Sequence, residues 1–357
     1  MDPQPPNSRL AMPRSARTAV VVACLVLGAA AWLALPAWAS RAARAASAQT
    51  SVASAPTHRA ASRVVQRFAV WGDTRPTSSS WPTTMPTGFT KLAAKLGRQS
   101  FSFSVAVGDY ANLSGGDSAS VIKAKYEAFR AAEAPIRKRH VYYVVGNHEI
   151  LSDATARTLF HSELGAPQRD WYRVKNGALN ILVLSAYEPN YSGTIGYVGE
   201  GSSSNSAQAR WLVATLRKIR AANRHAWIVV AVHCPPFDPK PDDPWASSSG
   251  EKSRLVKLFD KYGVDAVVAG HVHNYRRHVA ADGITYLTQG TGGAPVYSVN
   301  TVPLDSHDRK AFANVYGYTM FTLRANGSLR GVTTEASPSD WVFKVRDSFA
   351  LRNRAAR

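Results

Sequence analysis

Short uninterrupted apolar runs recur along the chain, at Arg67–Trp71, Phe103–Val107, Val141–Val145, Ile181–Ser185, Trp227–Val232 and Val264–Ala269. Consecutive rather than alternating apolar positions predict strands covered on both faces, and the Gly, Asn and His residues that bound them mark where they stop. Between them, apolar residues return every third or fourth position in Phe89–Leu96, Val121–Ala131, Ala154–Phe160, Ser206–Ala222 and Lys252–Tyr262, which predicts helices. Strand and helix therefore alternate, the pattern of an α/β layered domain. Later strands near Gly283–Thr288, Tyr318–Arg324 and Leu329–Thr334 are expected to complete a second sheet, and no internal repeat is present. Two Pro- and Ser-rich stretches, Pro76–Pro86 and Asp238–Gly250, read as loops inserted between elements, where specificity is often carried.

The first fifty residues break this pattern. Arg9, Arg14 and Arg17 precede an uncharged apolar stretch from Thr18 to Ala39, followed by Ala37-Trp38-Ala39 before Ser40 and by Ala46-Ser47-Ala48 before Gln49. This is the order of a secretory signal with two cleavable small-x-small sites, and the competing reading is an uncleaved membrane anchor. Either way the basic flank predicts that the folded domain lies on the outer side, hence an exported protein: periplasmic, secreted or anchored. Residues 1–48 are read as signal or anchor, 49–65 as a linker, 66–335 as the domain and 336–357 as a solvated basic tail. Of the two cysteines, Cys24 falls in the signal, so Cys234 alone cannot form a disulfide within the domain.

Among 357 residues, 45% are hydrophobic and 19% charged, which excludes a disordered chain. The net charge is +19, and because residues 1–48 hold five Arg and one Asp, the remainder keeps +15. Such a surplus favours anionic substrates or an anionic envelope surface, whereas the absence of basic runs interleaved with aromatics argues against a dedicated nucleic-acid face.

Five of the apolar runs end in ligand-type side chains: Gly72-Asp73-Thr74-Arg75, Gly108-Asp109-Tyr110, Gly146-Asn147-His148-Glu149, His233-Cys234 and Gly270-His271-Val272-His273. Singly, an Asp after Gly is as good a turn or cap residue as a ligand, and a lone His is more often a hydrogen-bonded structural residue. Together, six such residues on one edge of a layered domain supply hard oxygen and borderline nitrogen donors for two metal ions.

The ordered series GD, GD, GNHE, H, GHxH resembles the signature of the calcineurin-like metallophosphoesterases. The following HNYRRH and the GTGGAP at Gly290–Pro295 are similar to its exported, purple-acid-phosphatase-like branch. The resemblance implies a two-sheet β-sandwich flanked by helices, with a dimetal site at the carboxyl ends of the strands. It implies that Asp73 and His273 hold one metal, that Asn147, His233 and His271 hold the other, and that Asp109 bridges them. His148 would act as hydrogen-bond donor or general acid toward the phosphate, and Arg75 would contact substrate phosphate or make a surface ion pair. Glu149 would orient the site or merely cap a helix. Fe with Mn or Zn is the expected metal pair, and a phosphate ester the expected substrate. Two departures stand out: Arg75 occupies the place of a common first-metal His, and Asn112 the place of the Tyr that purple acid phosphatases use. The first metal would then be held by Asn112, by Tyr110 through an altered turn, or by water.

Overall fold

The computed structural model describes residues 62–81, 84–150, 154–187, 194–237, 249–297 and 305–354. The signal or anchor, the linker before Ser62 and the loop 238–248 lie outside the described residues, and among those described no helix is long and apolar enough to cross a membrane.

One sheet contains β1 (Val64–Trp71), β2 (Phe103–Ala106), β3 (His140–Tyr143), β11 (Tyr316–Arg324), β12 (Leu329–Ala336) and β13 (Lys344–Leu351), in the order β13-β12-β11-β1-β2-β3. The other contains β4 (Tyr172–Asn176), β5 (Leu179–Val183), β6 (Trp227–Ala231), β7 (Ala266–Ala269), β8 (Tyr275–Val279), β9 (Thr285–Gln289) and β10 (Asp308–Phe312), in the order β10-β8-β9-β7-β6-β5-β4. Within them β1, β2 and β3 run parallel, as do β5, β6, β7 and β9, so the strands that end in chemistry all deliver it at the same edge.

Helices α1 (Thr87–Gly97), α2 (Ala119–Glu133), α3 (Asn147–Ile150), α4 (Ala154–Leu164), α5 (Ala207–Ala222) and α6 (Ser249–Lys261) cover the outer faces. Ser118 and Ser206 cap α2 and α5 by accepting from the amides of Val121 and Ala209, and apolar residues at helical spacing, such as Phe89, Leu92, Ala93 and Leu96 in α1, turn inward. The consecutive apolar positions of the strands follow from this layering. In β1, Phe68 and Val70 pack between the sheets while Ala69 and Trp71 face the helices. Each central strand is apolar on both sides because each side has a partner.

Two expectations are corrected. The later strands do not together complete the second sheet: β9 joins the sheet of β5–β7, but β11 pairs antiparallel with β1 and β12 with β11, so the six-stranded sheet mixes early and late strands. Nor is the chain beyond residue 335 a solvated tail. β13 pairs with β12 from Leu329↔Leu351 to Glu335↔Lys344, Phe349 and Leu351 are buried, and Arg354 is pinned by its amide donating to Asp265 Oδ1 at 2.7 Å. The basic residues misled because this edge strand has two faces: Lys344 and Arg346 face solvent, while Asp347, Phe349 and Leu351 are buried.

A buried polar bridge crosses between the sheets. Thr319 and Thr333 share a 2.8 Å hydrogen bond, Thr319 donates to Gln289, and Thr291 donates to Glu335 at 3.1 Å. Burial pushes Glu335 from 4.5 up to about 8, outweighing the hydrogen bonds from Thr291 and Gln289 that favour its charge.

Phe349→Ala is expected to cost about 3 kcal/mol of unfolding free energy, measured by denaturant titration, whereas a residue in a solvated tail would change it by under about 0.5. The raised carboxyl of Glu335 binds its proton more tightly folded than unfolded, so its contribution is complete below pH 4.5 and is lost as pH climbs through about 8. Glu335→Gln should remove that loss, and its melting temperature relative to wild type should rise steadily from pH 5 to 8.5.

Candidate metal centre

Asp73, Asp109 and His271 all adopt left-handed backbone conformations, with φ of 58°, 60° and 67°. Such angles cost energy for residues with a Cβ, and here each throws a side chain sharply off the end of its strand. The glycines before them answer a second constraint. A Cβ on Gly270 would lie 2.3 Å from Asp73 Oδ2, and one on Gly146 would lie 2.4 Å from Asp109 Oδ1, so only glycine lets the motifs of different strands interlock.

The interlocking is direct. The Asp73 amide donates to Gly108 O at 2.9 Å, the His271 amide to Asp73 Oδ1 at 2.8 Å and the His148 amide to Asp109 Oδ1 at 3.2 Å. Ligand atoms of Asp73, Asp109 and His233 lie within 4.8 Å of one another, all buried. Asn147 Oδ1 sits 3.1 Å from both His233 Nε2 and His271 Nδ1, and His273 Nε2 is 3.5 Å from Asp73 Oδ1. The six residues expected as ligands are therefore gathered in one place, from loops of both sheets. His148 Nε2 stands 3.9 Å and Arg75 Nε 3.5 Å from Asp109 Oδ2. Arg75 is thus a nearly buried member of the cluster, not part of a surface ion pair.

Three observations test whether this cluster suits cations. Asp73 Oδ2 is buried with no hydrogen-bond partner, leaving a carboxyl oxygen unsatisfied. His233 Nδ1 contacts the Val107 carbonyl at 2.6 Å, which only accepts, so the ring proton belongs there. His233 Nε2 then turns a lone pair toward Asp109 Oδ1 at 3.2 Å and Asn147 Oδ1 at 3.1 Å. Atoms so placed repel unless a positive charge lies among them, a proton on Nε2 in the metal-free site or a metal ion in its place.

The titration behaviour carries the same message. Burial raises both carboxyls. For Asp73 it prevails and pushes the group to about 8, while for Asp109 the neighbouring His233, His148 and Arg75 prevail and hold it well below its ordinary value. Burial lowers His233, yet Asp109 outweighs it and lifts the imidazole to about 9. The donor set of carboxylate, amide and imidazole fits two borderline divalent or trivalent metals.

Supporting groups hold these donors in place. Glu149, buried, accepts at Oε2 from the amides of Asp109 and Gly146 at 2.9 and 2.8 Å and at Oε1 from that of Tyr110 at 2.8 Å, which fastens the Asp109 loop to α3. Both expected roles are observed: the bond from the Gly146 amide caps α3, and those from Asp109 and Tyr110 orient the loop. His273 Nδ1 pairs with the Pro295 carbonyl and its ring stacks on Tyr297 at 4.3 Å. The Tyr187 hydroxyl reaches Asn147 Oδ1 at 3.5 Å. Backbone carbonyls such as Val107 and Pro295 leave no mark in a sequence, and Tyr187 had only its place after a strand to suggest it.

Tyr110 is corrected. Its hydroxyl lies 2.7 Å from the carbonyls of Ala106 and Val144 and accepts from the amides of Gly108 and Val144, and burial pushes its phenol well up, so it offers no tyrosinate. Asn112 is tied to the 76–81 loop, its Nδ2 donating to Thr77 O at 3.0 Å and its carbonyl accepting from Lys125.

A centre of this kind, at the carboxyl edge of two packed mixed sheets, defines a dimetal hydrolase scaffold. The sequence model of the calcineurin-like phosphoesterases matches residues 67–275, and the chain belongs to that family. It is similar to purple acid phosphatase 21 of Arabidopsis thaliana, 32% identical over 174 residues that make up 42% of this chain and 35% of that protein. It is also similar to purple acid phosphatase 1 of Ipomoea batatas, 28% identical over 136 residues, 38% of this chain and 26% of the relative. The chain thus spans about a third or less of the length of these relatives. A purple acid phosphatase from yellow lupin seeds shares the fold with a TM-score of 0.58 at 16% identity, covering 80% of this chain and 53% of that one. A dimetal phosphatase from Danio rerio does so with a TM-score of 0.52 at 16% identity, covering 81% and 99%.

Glu149→Gln replaces one acceptor oxygen by an NH2 group facing backbone amides. Metal retained after dialysis against graded chelator should fall as if affinity had dropped about 10- to 100-fold, with cooperative unfolding preserved.

Proposed function

We propose that the protein hydrolyses phosphate esters, phosphomonoesters in preference to diesters, at this centre. The observation that carries the proposal is the buried Asp73–Asp109–His233 cluster, with its unpartnered Asp73 oxygen and its facing acceptors. Asp73 and His273 would hold one ion, Asn147, His233 and His271 the other, and Asp109 both. The ions would supply the Lewis acidity and charge neutralisation that attack on an anionic phosphate requires at neutral pH.

The chain's own groups do the rest. The Val107 carbonyl fixes the His233 tautomer and the Pro295 carbonyl that of His273, so both rings present Nε2 to the centre. His148, on the solvent side of Asp109 at 17% side-chain exposure, is placed to donate a hydrogen bond or proton to the leaving oxygen. Arg75 Nε stands 3.5 Å from Asp109 Oδ2, outside hydrogen-bond geometry, which keeps the guanidinium at the edge of the site. A monoester presents one more anionic oxygen than a diester, and Arg75 is the group suited to take it. The similarity to proteins named phosphatases points the same way. The N-terminal segment read as a signal or anchor would put this activity outside the cytoplasm.

With neither a first-motif His nor a free Tyr phenol, the Asp73–His273 side has fewer donors than its neighbour, and a domain that binds metal and polyanions without turnover is the second reading. Elemental analysis of the purified domain, with hydrolysis of p-nitrophenyl phosphate and its bis ester, separates the two. Close to two metals per chain and faster turnover of the monoester are expected, with His271→Ala and His148→Ala each lowering kcat/KM at least about a hundredfold. One metal or none, without turnover after addition of Mn, Zn or Fe, would establish the second reading, and faster turnover of the bis ester would reassign the substrate.

A further inference from the structure

At the opposite end of β3 from the metal centre, the turn between α2 and β3 folds three consecutive cations, Arg137, Lys138 and Arg139, and the imidazole of His140 around a cavity of about 360 Å³. Val141, Tyr143, Leu164 and Gly165 complete the lining, and none of the described residues that line it is acidic. The volume falls in the range of ligand sites, roughly 300 Å³ and upward. β3 advances about 3.3 Å per residue, so the strand and the Val144–Val145 link hold this cavity roughly 15 Å from the Asn147 loop, as a separate place.

The turn gathers these charges for a stated reason. The amides of Ile136 and Arg137 both donate to Glu133 O and that of Arg139 to Ile136 O, tight successive turns that point adjacent side chains around a common hollow. Arg139 lies over the Phe101 ring at 4.8 Å, which fixes the guanidinium plane and leaves its edge donors outward. Arg137 has one anion near it, Glu133 at 3.7 Å, but that carboxyl is buried beneath the cavity, receives the Tyr143 hydroxyl and is raised by burial to about 8. At neutral pH it therefore leaves most of the Arg137 charge uncompensated. Like charges crowded together without counter-charge are destabilising, and an anionic ligand removes that cost.

We propose that this cavity is a second, non-catalytic site that binds a phosphate group, whether a free phosphate anion or the phosphodiester headgroup of an anionic lipid. Forked guanidinium donors beside an ammonium and an imidazole match phosphate oxygens, and the cavity is gathered at the start of β3, the end away from the Asn147 loop.

The test reads binding rather than turnover, so its outcome is independent of whether the metal centre is catalytic. Inorganic phosphate is titrated calorimetrically, and co-sedimentation is measured with phosphatidylcholine vesicles containing or lacking 30% phosphatidylglycerol. Wild type is compared with Lys138→Glu/Arg139→Glu, with the single Lys138→Glu in case the double variant unfolds, and with Arg309→Glu/Lys310→Glu, an equal charge reversal on exposed residues of β10. The cavity variants should lose one class of phosphate sites, or lose vesicle binding by at least about tenfold, while the β10 variant keeps both. Loss of phosphate binding alone identifies the free anion, and loss of vesicle binding alone identifies the lipid headgroup. Equal losses in the cavity and β10 variants, or no loss in any, would overturn the proposal.

Discussion

Two carboxylates, Asp73 and Asp109, are held out of water at the seam between the sheets, and much of the molecule is arranged to make that tolerable. Two like charges so close in a low-dielectric setting cannot both persist without compensation. Three features answer this: the imidazole of His233 beside Asp109, the Arg75 guanidinium on the far oxygen, and donor geometry suited to metal cations. The left-handed backbones of Asp73, Asp109 and His271 and the glycines that let their loops interlock are the local costs of this arrangement, and the two packed sheets behind them are what can sustain it.

Glu149 extends the same logic outward. A third carboxyl beside Asp109 would add repulsion, yet its oxygens are turned to four backbone amides, those of Asp109, Tyr110, Ala111 and Gly146, and burial with the nearby Asp109 raises it to about 7. Tyr110 is likewise tied to backbone groups of β2 and β3. Neighbours of the cluster that carry suggestive functional groups are therefore braces, and the departure of this chain from the tyrosine-containing centres it resembles is Asn112 in place of the Tyr, with the Tyr110 phenol turned to backbone groups.

The surplus of positive charge is not spread evenly. Part of it, through Arg75, belongs to the metal centre, and another part is concentrated in the Arg137–His140 turn at the opposite pole. Under the readings proposed above both would recognise phosphate oxygens, and the first adds a buried cluster of carboxylate, amide and imidazole donors.

The sequence by itself determined the alternation of buried strands and helices and the six ligand-type residues at strand ends, because apolar periodicity and Gly-Asp or Gly-His punctuation are local properties of the chain. It also placed His148 and Arg75 beside them through the motif they share. It did not determine which sheet β9, β11 and β12 join, since strand pairing depends on contacts far apart in the chain. It misplaced β13 because an edge strand with a charged outer face has the composition of a tail. Only the tertiary structure decided that Tyr110 turns inward, that Glu149 grips the Asp109 loop, and that the carbonyls of Val107 and Pro295 orient the histidines. Backbone acceptors are identical at every residue, and only the fold can tell which of them meets a ring nitrogen.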